Sequence, residues 1–237
     1  MLPSKTLPDA EFLLLGDSHA LAIRDAASSR AVPIVGGMLE GGRNLNIAFH
    51  RRAGQDVVFD DPRVDVLYRD HLASLGIDRI GDLTIPLLCT VGMNIHYLSG
   101  MGFWDGLTLV DRPDARFLSY AALTETVRAL ISGALDFYGD VASMGLRTFS
   151  VLPPRRTPNT STNSRPDFFL ALEDIVGELV EQAGATVIDH RSVSLDDAGD
   201  LKAEFRHPNS SDDVHGSEAF GGLILSEMLE RIHPSPR

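Results

Sequence analysis

The chain is 237 residues long, 43% hydrophobic and 23% charged, with 21 basic and 33 acidic side chains and a formal net charge of −12. That length suits one α/β domain with a sizeable core, and the composition is that of an ordered globular protein. The acidic excess argues against a nucleic-acid or anionic-membrane surface, since both need clustered Lys and Arg to replace counterions. No apolar stretch approaches membrane-spanning length. Residues 1–11 lack the basic start, apolar run and small-residue cleavage site of a secretory signal. A soluble, cytoplasmic protein is expected on these grounds.

The run Phe12-Leu13-Leu14-Leu15, closed by Gly16-Asp17, reads as a fully buried strand that ends in a tight turn. Ala20 to Ala27 then holds strong helix formers without Gly or Pro. Ser18 therefore lies between a strand and a helix, where unpaired N–H groups and the helix dipole favour negative charge. A serine in that place serves as a nucleophile if a base is near, and otherwise as an N-cap. Ala31 to Val35 reads as a second strand, emptying into the glycine-rich segment Gly36 to Gly42. That segment lacks the Gly-Lys-Ser/Thr of a phosphate loop.

Further along, Asp56 to Pro62 suggests a short edge strand. The spacing of Val64, Leu67, Tyr68, Leu72 and Leu75 predicts a helix over about 64–75. Ile85 to Val91 is the next buried strand. It contains the sole cysteine, Cys89, which excludes an internal disulfide, fits a reducing compartment and reads as a structural thiol. After Gly92-Met93-Asn94, residues 98–118 carry Gly100, Gly102, Trp104 and Gly106 without periodicity. They predict a long loop, an insertion over about 95–118 that serves as lid or pocket wall. One helix is expected over Ser119 to Ala142, weakened at Gly133, followed by a strand from Leu146 to Leu152 closed by Pro153-Pro154. Residues 155–166 read as loop, Asp167 to Ala183 as helix, Ala185 to Asp189 as strand and Ser217 to Ile232 as the last helix.

Five strands alternating with helices predict a mainly parallel sheet covered on both faces. In such sheets ligands bind outside the carboxyl ends of the strands, so Ser18, the Gly36–Gly42 loop and the Gly92–Asn94 turn should converge. A base for Ser18 is offered by Asp212-Asp213-Val214-His215. There the three-residue spacing lets the Asp212 carboxylate hold one imidazole nitrogen of His215 and leave the other facing the serine. Asp17 and Asp213 compete as orienters, and His19, His96 and His207 as bases. Asp17, His19, His96, Asp212 and His215 include metal-ligand types, but no His-x-x-x-His or similar spacing is present and no metal is expected.

Gly16-Asp17-Ser18-His19, the glycine loop after the second strand, Gly92-Met93-Asn94 after the third and Asp212-x-x-His215 near the end resemble the four blocks of the SGNH/GDSL hydrolases, in that family's order and across nearly the full chain. The resemblance implies a flavodoxin-like three-layer α/β/α sandwich, a single domain over 1–237, needing no cofactor. It further implies that Ser18 attacks an ester carbonyl while His215, oriented by Asp212, moves the proton. The backbone N–H of Ser18, that of a second-block glycine and the Asn94 side chain would form the oxyanion hole. Gly41 fits the spacing better than Gly42 or Gly37. One departure is Ile95, where the family pattern Gly-x-Asn-Asp has an aspartate after the asparagine.

The expected substrate is a small-molecule or carbohydrate ester bearing an O-acetyl or other short acyl group. Asp17, His19, His96 and Trp104 are expected beside it, and Arg155-Arg156 could hold an anion. Acyl transfer to another alcohol from the same site, with the Trp104 loop excluding water, is the alternative chemistry. A non-catalytic binding domain of the same fold is the alternative class.

Overall fold

Four consecutive apolar residues in a strand cannot share one face, because successive side chains point to opposite sides of a sheet. In the computed structural model, which describes residues 10–155 and 166–234, Leu13 and Leu15 enter one core and Phe12 and Leu14 the other. The strand that carries Leu13, Leu14 and Leu15, β1 (Leu13–Gly16), is buried along its whole length. It lies inside a five-stranded sheet with β2 (Val35–Met38), β3 (Leu87–Cys89), β4 (Thr148–Val151) and β5 (Thr186–Ile188). The order is β2-β1-β3-β4-β5 and every pairing is parallel. This is the 2-1-3-4-5 order of flavodoxin-like doubly wound sheets, whose switch point falls between β1 and β3.

Helices cover both faces, giving a three-layer α/β/α sandwich. They are α1 (Ala20–Ser29), α2 (Pro62–Ser74), α3 (Ile95–Ser99), α4 (Tyr120–Leu130), α5 (Ser132–Ser143), α6 (Pro166–Gln182), α7 (Arg191–Ser194) and α8 (Glu218–Ile232). The Phe12/Leu14 face is closed by α1 and α8, through Ile23, Ala26 and Ala27 against Phe220, Ile224 and Met228. α8 lies so close to α1 that a Cβ on Gly221 would stand 1.9 Å from the Ala22 carbonyl oxygen. The other face is closed by α2, α4, α5 and α6, with Tyr68, Val127, Phe137 and Leu172 among the buried side chains. Among the described residues, no helix is long and apolar enough to cross a membrane.

Several local expectations are corrected. The second strand is Val35–Met38 and not Ala31–Val35, because glycines that suggest a loop are needed within the strand. Gly36 has φ +99, and a Cβ on it would stand 2.0 Å from the Leu14 carbonyl oxygen. The edge strand near 57 does not join the sheet. Val57–Phe59 pairs with His50–Arg52 as a separate antiparallel ribbon. The helix expected over Ser119 to Ala142 is two helices, α4 and α5, broken at Ile131. At the break a Cβ on Gly133 would lie 2.5 Å from the Ala48 nitrogen, so the start of α5 serves as a seat for the chain at 46–48. The 98–118 loop contains the end of α3, a 3₁₀ turn at Gly102–Trp104 and a two-stranded parallel pair, Leu107–Thr108 with Arg116–Phe117.

Gly36→Ala combines a positive φ with a collision against backbone that cannot move. Loss of about 3 kcal/mol or more is expected, read as a lower urea midpoint at unchanged slope.

Candidate active site

The site begins at the end of β1, where Gly16 leaves room for Thr90 from the end of β3: a Cβ at Gly16 would lie 2.0 Å from Thr90 Oγ1. Thr90 Oγ1 accepts the Asp17 N–H at 3.0 Å and donates to Asp17 Oδ1 at 2.8 Å, tying the two strand ends together. Asp17 Oδ1 also accepts the His19 N–H at 3.0 Å, which shapes the turn that presents Ser18. Asp17 is 1% exposed. Burial raises its pKa to about 6, against the opposing pull of those hydrogen bonds and of His215. Asp17 borders the cleft, but this oxygen is committed to bracing the turn.

The half-buried Ser18 donates its hydroxyl to Nε2 of His215 at 2.7 Å, across 197 residues of sequence. His215 Nδ1 lies 2.8 Å from Asp212 Oδ2, and Asp212 Oδ1 accepts the backbone N–H groups of Val214 at 3.1 Å and His215 at 2.9 Å. Burial works to raise the Asp212 pKa, but the bonds from His215 and Val214 outweigh it and bring the carboxyl down to about 2. The loop is held on both sides. Arg206 bridges Gly216, and Ser217 caps α8 by accepting the Phe220 N–H. Ser18 therefore spends its hydroxyl on His215 and not on capping α1.

The competing imidazoles are placed otherwise. The His19 ring lies tilted with its centroid 5.2 Å from that of His215, and burial together with the His215 charge lowers its pKa to about 3. His96 Nε2 lies 3.3 Å from the Pro154 carbonyl oxygen and its ring packs on Phe169. Burial, then the neighbouring His19, brings its pKa to about 4. Both stay neutral near pH 7. His207 stands 3.7 Å from the Asp212 carboxylate. Among the described residues no group of three or more His, Cys, Asp or Glu side chains is arranged to hold a metal ion.

A cleft of 1010 Å³ opens on Ser18 and His215, lined also by Gly41, Gly42, Asn94, His96, Tyr97, Met101, Phe103 and Val214. Ser18, Gly42 and Asn94 thus converge at the sheet's switch point, as the carboxyl-end rule requires. The Ser18 and Gly42 N–H groups have no acceptor among the described residues. The Gly41 N–H donates to Glu40 Oε1 at 2.7 Å, and a Cβ on Gly41 would meet nothing within 4 Å. A Cβ on Gly42 would lie 2.9 Å from Asn94 Nδ2 and 2.7 Å from Asp17 Oδ2, so Gly42 and not Gly41 abuts the Asn94 amide.

Trp104 does not line the cleft. It is 1% exposed, donates its indole N–H to the Leu98 carbonyl at 2.7 Å and packs on Phe168. The neighbouring Phe103, 47% exposed, lines the cleft instead. Arg155 also lies away from the cleft, its Nε donating to buried Glu173 at 2.8 Å, and Arg156 lies outside the described residues. Sequence reasoning missed Thr90, Gly42 as the abutting glycine, and Asn46, whose amide pairs with Asn94. It also missed Tyr97 and Val214 on the apolar wall, whereas Met101 and Phe103 come from the segment expected to serve as lid or pocket wall.

No protein-family model matches the chain, and no curated protein matches it. Among solved structures it is similar to a lipase/acylhydrolase of Enterococcus faecalis, at 14% identity over 96% of this chain and 100% of the other, with a TM-score of 0.46. It is likewise similar to a variant of an acetyl-xylooligosaccharide esterase of Geobacillus, at 13% identity over 98% of each chain and a TM-score of 0.46. A GDSL-like lipase of Bacteroides thetaiotaomicron is similar at 10% identity over 93% of this chain and 88% of its own, with a TM-score of 0.44. At such distances likeness does not extend to chemistry, which has to be read from the residues around Ser18.

Asp17 gives a pH test of the turn. Its folded pKa of about 6 lies above the ordinary 3.8. The neutral carboxyl therefore favours the fold below about pH 4, and that contribution is lost as pH rises through 6, roughly 3 kcal/mol in all. Asp17→Asn keeps an acceptor for Thr90 and His19 without the charge. Its melting temperature relative to wild type should rise between pH 4 and pH 8, and a constant difference would contradict the assignment.

Proposed function

We propose that the protein is a serine ester hydrolase of the SGNH/GDSL type. The observation that carries this reading is the continuous chain from Ser18 Oγ to His215 Nε2 and from His215 Nδ1 to Asp212, bordering an open cleft. A lone serine hydroxyl is a weak nucleophile. A base that takes its proton, itself held in one tautomer by a carboxylate, makes it competent.

In the proposed reaction Ser18 Oγ bonds to the ester carbonyl carbon as its proton passes to His215 Nε2. The carbonyl oxygen becomes an oxyanion, met by the N–H groups of Ser18 and Gly42 and by the Asn94 amide, each worth about 2.7–4 kcal/mol by comparison with other serine enzymes. Collapse breaks the bond to the alcohol, which leaves with the proton from His215. Water, deprotonated by the same imidazole, then cleaves the acyl-serine and frees the acid. The His215 side chain is 31% exposed, which supports water as the acceptor over a second alcohol. Neutral His19 and His96 leave the imidazolium formed at His215 unopposed by other cations.

Tyr97, Met101, Phe103 and Val214 make the cleft wall mainly apolar, with room for more than an acetyl group. The acyl chain is assigned to this wall, and carbohydrate or small-molecule alcohols to the open side.

Two measurements check the reading. Wild type should hydrolyse p-nitrophenyl acetate and be labelled at Ser18 by a fluorophosphonate, while Ser18→Ala should lose both, kcat falling by at least about a thousandfold with the fold intact. Full activity in Ser18→Ala would refute the assignment. Along a series from acetate to hexanoate, kcat/KM should climb, by up to about fourfold per methylene, since each buried CH₂ is worth about 0.8 kcal/mol. A flat or falling series would move the acyl group off this wall.

A further inference from the structure

We propose that Asn46 is a positioning residue that fixes the Asn94 amide for oxyanion binding, an inference that rests on the ester-hydrolase reading above. Asn94 follows the turn after β3 and makes no capping bond to α3 with its side chain. The next residue, Ile95, is buried and apolar and offers the amide no partner. Asn46 does. Asn94 Nδ2 donates to Asn46 Oδ1 at 2.8 Å, and Asn46 Nδ2 donates back to Asn94 Oδ1 at 3.2 Å. Both residues are buried, at 3% and 7% exposure, so breaking the pair would strand polar atoms away from water.

The geometry of an amide gives the pair its purpose. A carboxamide nitrogen carries two N–H groups. Asn46 takes one, leaving the second for the side of Gly42, where an added Cβ would lie 2.9 Å from Asn94 Nδ2. If Asn94 alone turned over, oxygen would meet oxygen and nitrogen would meet nitrogen at both contacts, and a carbonyl would replace the donor beside the developing oxyanion. The reciprocal pair opposes that error.

Asn46 is itself anchored from behind. Its carbonyl accepts the Ala134 N–H at 3.2 Å in the first turn of α5. The close seat of the chain on Gly133 follows, and Ala48 takes φ +37 there. The break between α4 and α5 thus holds the segment that holds Asn94.

The test is a double-mutant cycle on kcat for p-nitrophenyl acetate. Asn94→Ala should lower kcat by about 10²- to 10³-fold, as loss of one oxyanion donor does. Asn46→Ala should lower it by about 10- to 100-fold with KM within about twofold, since transition-state contacts are lost and ground-state ones kept. On the Asn94→Ala background Asn46→Ala should cost almost nothing further, whereas a general structural role would multiply the losses. Asn46→Asp, nearly isosteric, guards against misfolding. Its carboxyl when neutral can both donate and accept as the amide does, and when ionised can only accept. The ratio of its kcat to that of wild type should therefore recover as pH falls. Multiplicative losses, a ratio flat with pH, or wild-type kcat in Asn46→Ala would each overturn the proposal. Wild type without turnover or fluorophosphonate labelling would overturn the hydrolase reading and this inference together. Wild type active with Asn46 silent would overturn this inference alone.

Discussion

The hydrogen bond from Ser18 Oγ to His215 Nε2 joins the turn after the first strand to the loop before the last helix. Ser18 can donate in it only if Nε2 is the unprotonated ring nitrogen, which requires the proton on Nδ1. Asp212 satisfies that requirement and shapes the loop with the same carboxylate, through the Val214 and His215 N–H groups. Tautomer and loop conformation thus share one cause. Burial of His19 and His96 in neutral form keeps positive charge from accumulating around the array.

Beneath that array lies a less favourable arrangement. Thr90 and Asp17 bind the ends of β1 and β3 side to side, and Gly16 permits the approach. The carboxylate drawn inward by this tie is almost wholly buried, and its raised pKa records the cost. In return the two turns carrying Ser18 and Asn94 open on the same cleft. Local instability at a site, compensated by the two cores on either side of the sheet, is a common arrangement in proteins whose function needs converging polar groups.

What is readable in the chain depends on how far apart in sequence each cause lies. The apolar runs at 12–15 and 85–91 mark buried strands because burial on both faces leaves no alternation to decode. The mixed segments at 146–152 and 185–189 are marked instead by β-branched and aromatic residues between turn signals, the latter being an edge strand with Thr186 exposed. Asp212 and His215 are readable as a pair because three residues of loop bring them together. β2 is displaced from its expected position because Gly36 and Gly37 carry strand conformations that a side chain would forbid, and glycine in sequence signals a turn more often than a strand. Trp104 suggests a pocket wall by composition, yet its indole N–H finds a carbonyl inside. The split between α4 and α5, Gly42 against Gly41, and the Asn46–Asn94 pair all arise from contacts between distant segments. None of them has a period or a spacing to betray it.

The docking of α8 on α1 through Gly221 has a consequence for durability. α8 closes one core and also anchors the loop that carries His215. An excursion that lifts this helix withdraws the imidazole while the sheet, the glycine segment and Asn94 stay in place. The tightness of one helix-to-helix seam is therefore what keeps the imidazole within reach of the serine.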